Sequence, residues 1–223
     1  MYTPDKATLN KGSRLLAASA LFGLLLFCPA RTARADEIGI WNFNDSNLIV
    51  DHGAGLLESS FSSIGFASGS TMNARLGDSA GQALNLTNQA NNGENVTLSV
   101  STVGFTNIIV SFAAQRSATG FNSNQFQYSL NGITFVNFNA PYNPPTSFGL
   151  FTFDLGSITG LNNNSSAAFR IVFNGASAAT GSNRIDNLVV EGQSPAAAIP
   201  EPASIVLLGL GLSGSMTMMR RKR

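Results

Sequence analysis

Short runs in which apolar and polar side chains alternate recur through the middle of this 223-residue chain. Phe126, Tyr128 and Leu130 fall on one face of such a run, and Gln127 and Ser129 fall on the other. A side-chain period of two is typical of a β-strand with one face in a core. The same period recurs at residues 96–100, 108–114, 151–155 and 169–173. No part of this region carries a 3.6-residue apolar stripe, so the sequence predicts an all-β domain, an antiparallel β-sandwich or jelly roll.

Turn residues separate these runs. Asn131-Gly132 stands between the run that ends at Leu130 and a second alternating run at residues 133–138, and this arrangement predicts a hairpin with a type I′ turn. Residues 65–83 hold few apolar side chains and are predicted to form a loop. The last strand is predicted at residues 184–191.

The amino-terminal segment has the composition of an export signal. A basic stretch precedes 13 uncharged, mostly apolar residues at positions 15–27, and Ala33 and Ala35 place small side chains where a signal peptidase reads the chain. Residues 1–35 are therefore predicted to be a signal peptide helix that is cleaved after Ala35 rather than retained. Cys28, the only cysteine, leaves with it, so the mature protein has no disulfide and no thiol ligand.

The carboxyl-terminal segment has the composition of a membrane anchor. Residues 203–219 carry no charge, and as a helix they reach about 25 Å, the lower end of what crosses a hydrocarbon core of about 30 Å. Four cations end the chain: Arg220, Arg221, Lys222 and Arg223. The positive-inside rule keeps them cytoplasmic. The sequence thus predicts a transmembrane helix in the inner membrane; the alternative is a buried helix of the core.

The tripeptide Pro200-Glu201-Pro202 precedes this helix. A cleavable signal at one end, with this tripeptide, an apolar helix and a basic end at the other, resembles the PEP-CTERM sorting architecture of Gram-negative bacteria that make extracellular polysaccharide. Ile199 stands where the family normally has valine. The resemblance implies an exosortase-like membrane enzyme that cuts near the tripeptide, with export across the inner membrane, anchoring, and final placement at the cell surface or outside it.

The segment between the two ends fits one domain. We predict a β-sandwich at residues 36–192, a proline-containing linker at 193–199 and the sorting segment at 200–223. Residues 36–199 hold four arginines, no lysine and ten carboxylates, a net charge of −6. Such a surface repels phosphate backbones, which excludes nucleic acid as a partner.

Three short segments, at residues 41–45, 127–135 and 183–192, resemble those of jelly-roll domains that include carbohydrate-binding modules. Relatives of that kind hold a structural calcium where the first and last strands meet. The resemblance implies Asp45 and Asp186 as calcium ligands, with Asp51 and Asn187 as further candidates. Calcium prefers oxygen ligands of this type.

Other roles are open for the two aspartates. Asp45 can cap an Asx turn, and Asp186 can form a salt bridge with Arg184 or Arg170. No other cofactor is predicted.

Catalytic motifs are scarce. His52 is the only histidine, which excludes a zinc site with several imidazoles, and its glycine-flanked position predicts a solvated turn residue. No nucleophile elbow is present, and the spacing of the acids selects no catalytic pair. The protein is predicted not to be an enzyme. An extracellular hydrolase would need two carboxyl groups about 5 to 10 Å apart in a cleft.

Two aromatic residues are candidates for sugar contact. Trp41 shares a strand face with Phe43 and is predicted to lie in the core. Tyr142 lies in a proline-rich loop and is predicted to present an exposed ring to a glycan. We therefore predict a structural or adhesive role with extracellular polysaccharide. The alternative is a carbohydrate-binding module with a specific glycan ligand, and the hydrolase is a third possibility.

Overall fold

The computed structural model describes residues 35–194, and the regular secondary structure in this part of the chain is almost entirely β-strand. Its strands are β1 (Ala35–Trp41), β2 (His52–Gly53), β3 (Leu56–Ser59), β4 (Ile64–Ser68), β5 (Gln82–Thr87), β6 (Asn95–Val100), β7 (Thr106–Arg116), β8 (Ser123–Ser129), β9 (Val136–Asn137), β10 (Gly149–Asp154), β11 (Ala167–Asn174) and β12 (Ser182–Gln193). Short 3-10 turns lie at Gln89–Asn91 and Thr159–Leu161. Within residues 35–194 there is no helix that could cross a membrane. Apart from Ala35, which is in strand β1 and not in a helix, the predicted signal peptide and anchor helices lie outside the described residues.

The strands form two antiparallel sheets. Sheet A has the order β10-β7-β12-β1-β2, with β5 also paired to β12 and β4 paired to β5. Sheet B has the order β3-β6-β11-β8-β9. Strand β12 is the centre of sheet A: it pairs with β7 on one side, and on the other it pairs with β5 near its start and with β1 near its end.

The core lies between the two sheets and is built from the inward-facing half of each alternating run. Phe126 of sheet B stacks on Phe153 of sheet A with ring centroids 3.9 Å apart. Trp41 has no exposed surface, so its predicted place in the core is confirmed. The largest fully buried side chains are Trp41, Phe112, Phe121, Phe126, Phe169 and Phe173. The prediction of an all-β sandwich is confirmed.

The predicted hairpin after β8 is present, because β9 pairs antiparallel with β8, but its predicted type I′ turn is wrong. Gly132 has a φ of 73°, but Asn131 is not among the residues with positive φ, and a type I′ turn needs both. Instead, the side-chain oxygen of Asn131 accepts hydrogen bonds from the N–H groups of Ile133 (3.0 Å) and Thr134 (2.8 Å). This Asx turn widens the connection, so the returning strand β9 is only two residues long.

The predicted loop at residues 65–83 is shorter than expected. Strand β4 occupies its first residues and β5 begins at its end, and the two strands pair from Ile64 with Leu86 to Ser68 with Gln82. The residues that remain, 69–81, form what we call the covering loop. The final strand is longer than predicted, Ser182–Gln193 rather than 184–191.

Candidate functional site

The covering loop closes part of the outer face of sheet A. The Asn73 amide nitrogen donates to the Asn187 carbonyl oxygen (2.8 Å) and to the Ser111 hydroxyl (3.1 Å). Arg75 forms ion pairs with Glu37 (3.8 Å) and Glu191 (3.5 Å). These contacts hold the loop against β7 and β12, so this part of sheet A is not open to a ligand.

Side chains at a β-bulge in β12 hold the first residues of the covering loop. Asp186 has no exposed surface, and its carboxylate accepts hydrogen bonds from the N–H of Ser70 (2.5 Å) and the N–H of Asn187 (2.9 Å). Asn187, with a φ of 49°, donates its amide to the carbonyl oxygens of Ser70 (2.7 Å) and Met72 (2.8 Å). Burial raises the pKa of Asp186 to about 7, although the two N–H donors act to lower it.

The side chains at this bulge do not fit the predicted calcium site. Asp45 is exposed, while Asp186 is buried, and the carbonyl oxygens beside Asp186 already accept the Asn187 amide. Among residues 35–194 no three His, Cys, Asp or Glu side chains are grouped so that they could hold a metal ion. Bound calcium stays a prediction, and no part of the function proposed below depends on it.

The alternative roles of the two aspartates are not observed either. Arg184 donates to the Ser68 carbonyl oxygen (3.1 Å) and Arg170 donates to Gln127 (2.7 Å), so neither arginine pairs with Asp186. The Asx turn after β1 is made by Asn42, whose side-chain oxygen accepts the N–H of Asn44 (3.0 Å). Asp51 accepts the N–H of Asn42 (2.6 Å) and so closes the same turn.

The outer face of sheet B, in contrast, carries polar side chains in register. Glu58 of β3 lies opposite Thr97 of β6, Thr97 opposite Arg170 of β11, Arg170 opposite Gln127 of β8, and Gln127 opposite Asn137 of β9. We call these five residues the polar row. Their neighbours along each strand, such as Leu57, Leu98 and Phe169, point into the core, so the row points outward.

Hydrogen bonds link the members of the polar row. Arg170 Nε donates to Gln127 Oε1 (2.7 Å), and Gln127 Nε2 donates to Asn137 Oδ1 (2.7 Å). The Arg170 guanidinium carbon lies 3.9 Å from the centroid of the Phe135 ring, a cation–π contact. Arg170, Gln127 and Asn137 are therefore held in place before any ligand arrives.

Apolar groups lie beside the polar row. Leu56 of β3 is 55% exposed, and Ile133 of the β8–β9 loop is 83% exposed. A shallow depression of about 290 Å³ is lined by small residues of β6, β11 and this loop, among them Ser99, Gly132 and Ser166. The outer face of sheet B thus offers amides, one cation and exposed apolar surface together.

Tyr142 is not on an open loop. Its ring packs against Phe151 (4.6 Å) and Phe153 (5.7 Å), and its backbone forms a bridge with Asn124 beside β8. The predicted exposed placement is wrong because the ring packs against aromatic side chains of the core. The residue is half-buried, and desolvation raises the pKa of its hydroxyl. Its contact with a glycan stays a prediction.

His52 and the carboxylates are the residues of the described domain that were considered for catalysis. His52 is exposed in the two-residue strand β2, paired with Ile40. A second depression, of about 300 Å³, is lined by Asn107, Asp154 and Gln193 among others, and it contains one carboxylate. The non-enzymatic interpretation stays a prediction.

The polar row was not predicted from the sequence. The alternation in β8 does show Gln127 facing away from the core, which is a signal for one member. The registers that place the five residues side by side join strands far apart in the chain, and no local pattern encodes them.

Residues 198–223 match the family model of the PEP-CTERM protein-sorting motif. The chain therefore carries, at its carboxyl end, the signal that marks exosortase-dependent surface proteins. The match includes Pro200, Glu201, Pro202 and the terminal cations, all of which lie outside the described residues.

Several solved structures are similar to this chain. One is the CBM22-1 xylan-binding domain of Xyn10C from Paenibacillus barcinonensis, with 11% identity, 74% of this chain and 99% of that chain covered, and a TM-score of 0.48. Another is domain 4 of AbnA, an extracellular arabinanase from Geobacillus stearothermophilus, in complex with arabinotriose (11% identity, coverage 73% and 95%, TM-score 0.44). A search of curated protein sequences gave no match.

Proposed function

We propose that this protein is an exported surface protein whose β-sandwich contacts extracellular polysaccharide through the outer face of sheet B. The role is structural or adhesive rather than catalytic. The observation that supports it is the polar row, five outward side chains in register across all five strands of one sheet. The sorting motif supports the location, because it directs the domain to the surface where such polymers are found.

The dimensions of the row suit a linear polymer. Neighbouring strands are about 4.8 Å apart, so five residues in register span about 19 Å across the sheet. That length accommodates several sugar units. The amides of Gln127 and Asn137 supply both donors and acceptors, which is what a sugar with many hydroxyl groups requires.

Binding to polysaccharides tests the proposal directly. The domain, residues 36–193, is run in native gels that contain one polysaccharide each, and retardation is measured. We expect retardation by at least one polymer. The double variant Gln127→Ala/Asn137→Ala should lose most of it, because it removes two amides from the row.

Gln115→Ala provides the matched control. Gln115 is half-buried like Gln127, but it lies on β7 of sheet A, opposite Arg184. This variant should be retarded like the wild type. Equal loss in the two variants, or no retardation of the wild type by any acidic or neutral polymer, would contradict the proposed function.

The same experiment distinguishes the structural or adhesive role from the alternative, a module with one specific glycan ligand. A structural or adhesive protein should be retarded by polymers of several compositions with similar, modest strength. A specific module should respond to one backbone and ignore the others.

A further inference from the structure

Arg170 differs from the other arginines of the described domain in how its donors are used. Arg75 is paired with two glutamates, and Arg116 donates to Asn143, Ser117 and Ala118. Arg184 donates a terminal N–H to a carbonyl oxygen. Arg170 donates only through Nε, and its two terminal nitrogens make no hydrogen bond within residues 35–194.

The Arg170 guanidinium is nevertheless held in place. Phe135 stacks against one side of it at 3.9 Å, and Gln127, itself bonded to Asn137, accepts its Nε hydrogen. A long side chain normally loses rotamer entropy when it binds a ligand. In Arg170 this rotamer entropy has already been lost on folding, so the guanidinium is already oriented when a ligand binds.

We propose that the polar row recognises the acidic groups of a polysaccharide, with Arg170 binding a carboxylate of the polymer through its two terminal nitrogens. This inference rests on the proposed function and names the chemical class of its ligand. A planar guanidinium with two free donors matches a carboxylate in a bidentate pair, whereas a neutral hydroxyl uses only one donor.

The charges around Arg170 are consistent with a carboxylate that binds at this arginine, and not through the net charge of the domain. The only acid of the polar row is Glu58, which is separated from Arg170 by Thr97 and therefore lies two strand spacings, about 10 Å, away. Burial lowers the pKa of Arg170 from its ordinary value, yet a guanidinium stays charged at neutral pH. The domain as a whole is negative, so a polyanion gains nothing from its net charge and depends on this cation.

A pair of polymers that differ only in charge tests the inference. Polygalacturonate and its highly methyl-esterified form share one backbone, and the ester removes the carboxylates. Binding of residues 36–193 is measured by affinity electrophoresis in 0.1 M salt with a chelator, so that no cation bridges protein and polymer. We expect the acidic form to bind about tenfold more tightly, the effect of one charge-assisted pair.

Two variants assign the preference to the guanidinium. Arg170→Gln should abolish the tenfold preference, and Arg170→Lys should recover part of it, because the charge returns without the fork. Arg184→Gln removes the same charge from sheet A and should leave the preference unchanged. Thermal melting of each variant confirms that it is folded.

The outcomes separate the two proposals. Equal binding of both polymers, or a preference that survives Arg170→Gln, overturns the acidic-ligand inference and leaves the proposed function standing. Binding of neither polymer overturns the inference as well, and the proposed function then depends on the other polysaccharides of the gel series.

Discussion

Asp186 is buried at the bulge of β12, where it accepts two N–H donors and forms no ion pair with a cation of residues 35–194. Its folded pKa of about 7 lies above the ordinary value of 3.8, so between these pH values the folded protein binds a proton that the unfolded chain releases. The stabilising effect of this proton is full below about pH 4 and is lost as the pH rises through 7. We expect the melting temperature to fall over this window, and the fall to be smaller in Asp186→Asn.

Asp154→Asn is the control for the pH prediction, because it removes one carboxylate from an exposed position at the end of β10. It should keep the wild-type slope. An unchanged slope in Asp186→Asn would contradict the assignment. If calcium bound at Asp186, a chelator would lower the melting temperature of the wild type but not that of Asp186→Asn.

Gly55 marks a tight contact with the core. A Cβ atom there would lie 2.6 Å from the Trp41 ring and 2.9 Å from a Val100 methyl. Because Trp41 is fully buried and cannot move aside, Gly55→Ala should lower the free energy of unfolding by about 1 to 3 kcal/mol in a urea titration. Gly65→Ala is the matched control: its Cβ would meet only one atom, at 3.9 Å, and stability should stay the same or rise slightly.

For single residues, the sequence predicts which side chains are buried better than it predicts which residues they contact. Trp41 was correctly placed in the core, although Phe43, predicted to share its strand face, lies beyond the end of β1 with a φ of 58° and is buried there. The partner of Asp186 could not be predicted, because Ser70 is 116 residues away and reaches the carboxylate only through the covering loop. The wrong placement of Tyr142 has a related cause: a proline-rich loop suggests exposure, while the attraction of a tyrosine ring to Phe151 and Phe153 depends on the fold.

At the level of elements, strands were predictable where apolar and polar residues alternate, because this alternation indicates a strand with one buried face. The examples are β6, β7, β8, β10 and β11. The connection after β8 was not, because the side chain of Asn131 competes with the backbone for the N–H groups of Ile133 and Thr134. This competition matters for the candidate site. Phe135, which lies between this turn and β9, is the residue whose ring contacts the Arg170 guanidinium.

The covering loop should be held closed by Asn73. Asn73→Gly keeps the positive φ of 62° allowed but removes the side-chain bonds to Ser111 and Asn187 and the one accepted from Arg75. The two bonds that reach sheet A contribute about 2 kcal/mol, so the loop should open more often, and trypsin should cut after Arg75 roughly thirtyfold faster. The measurement is the rate of appearance of the two fragments in limited proteolysis.

Asn139→Gly is the matched control for that experiment, because Asn139 also has a positive φ (59°) but is exposed and lies beyond β9. The rate of cutting after Arg75 should be unchanged in this variant. Acceleration by both variants would mean that general destabilisation, and not the bonds of Asn73, controls the loop.

For the whole molecule, the processing at both ends is the main expectation. We expect mass spectrometry of protein recovered from cells and medium to give an amino terminus at Asp36 and a carboxyl terminus near Pro200. The first residue of β1, Ala35, pairs with Gln193, so a cut after Ala35 leaves the sandwich nearly whole. An intact carboxyl end in every fraction would instead indicate a permanent anchor.

Strand β12 is both the most connected strand of sheet A and the last strand of the described residues. In a chain exported from its amino end, β1, β5 and β7 would emerge before the strand that joins them. Sheet A would then be completed only after β12 has crossed, so strand order alone would delay closure of the sandwich until nearly all of residues 35–194 are outside.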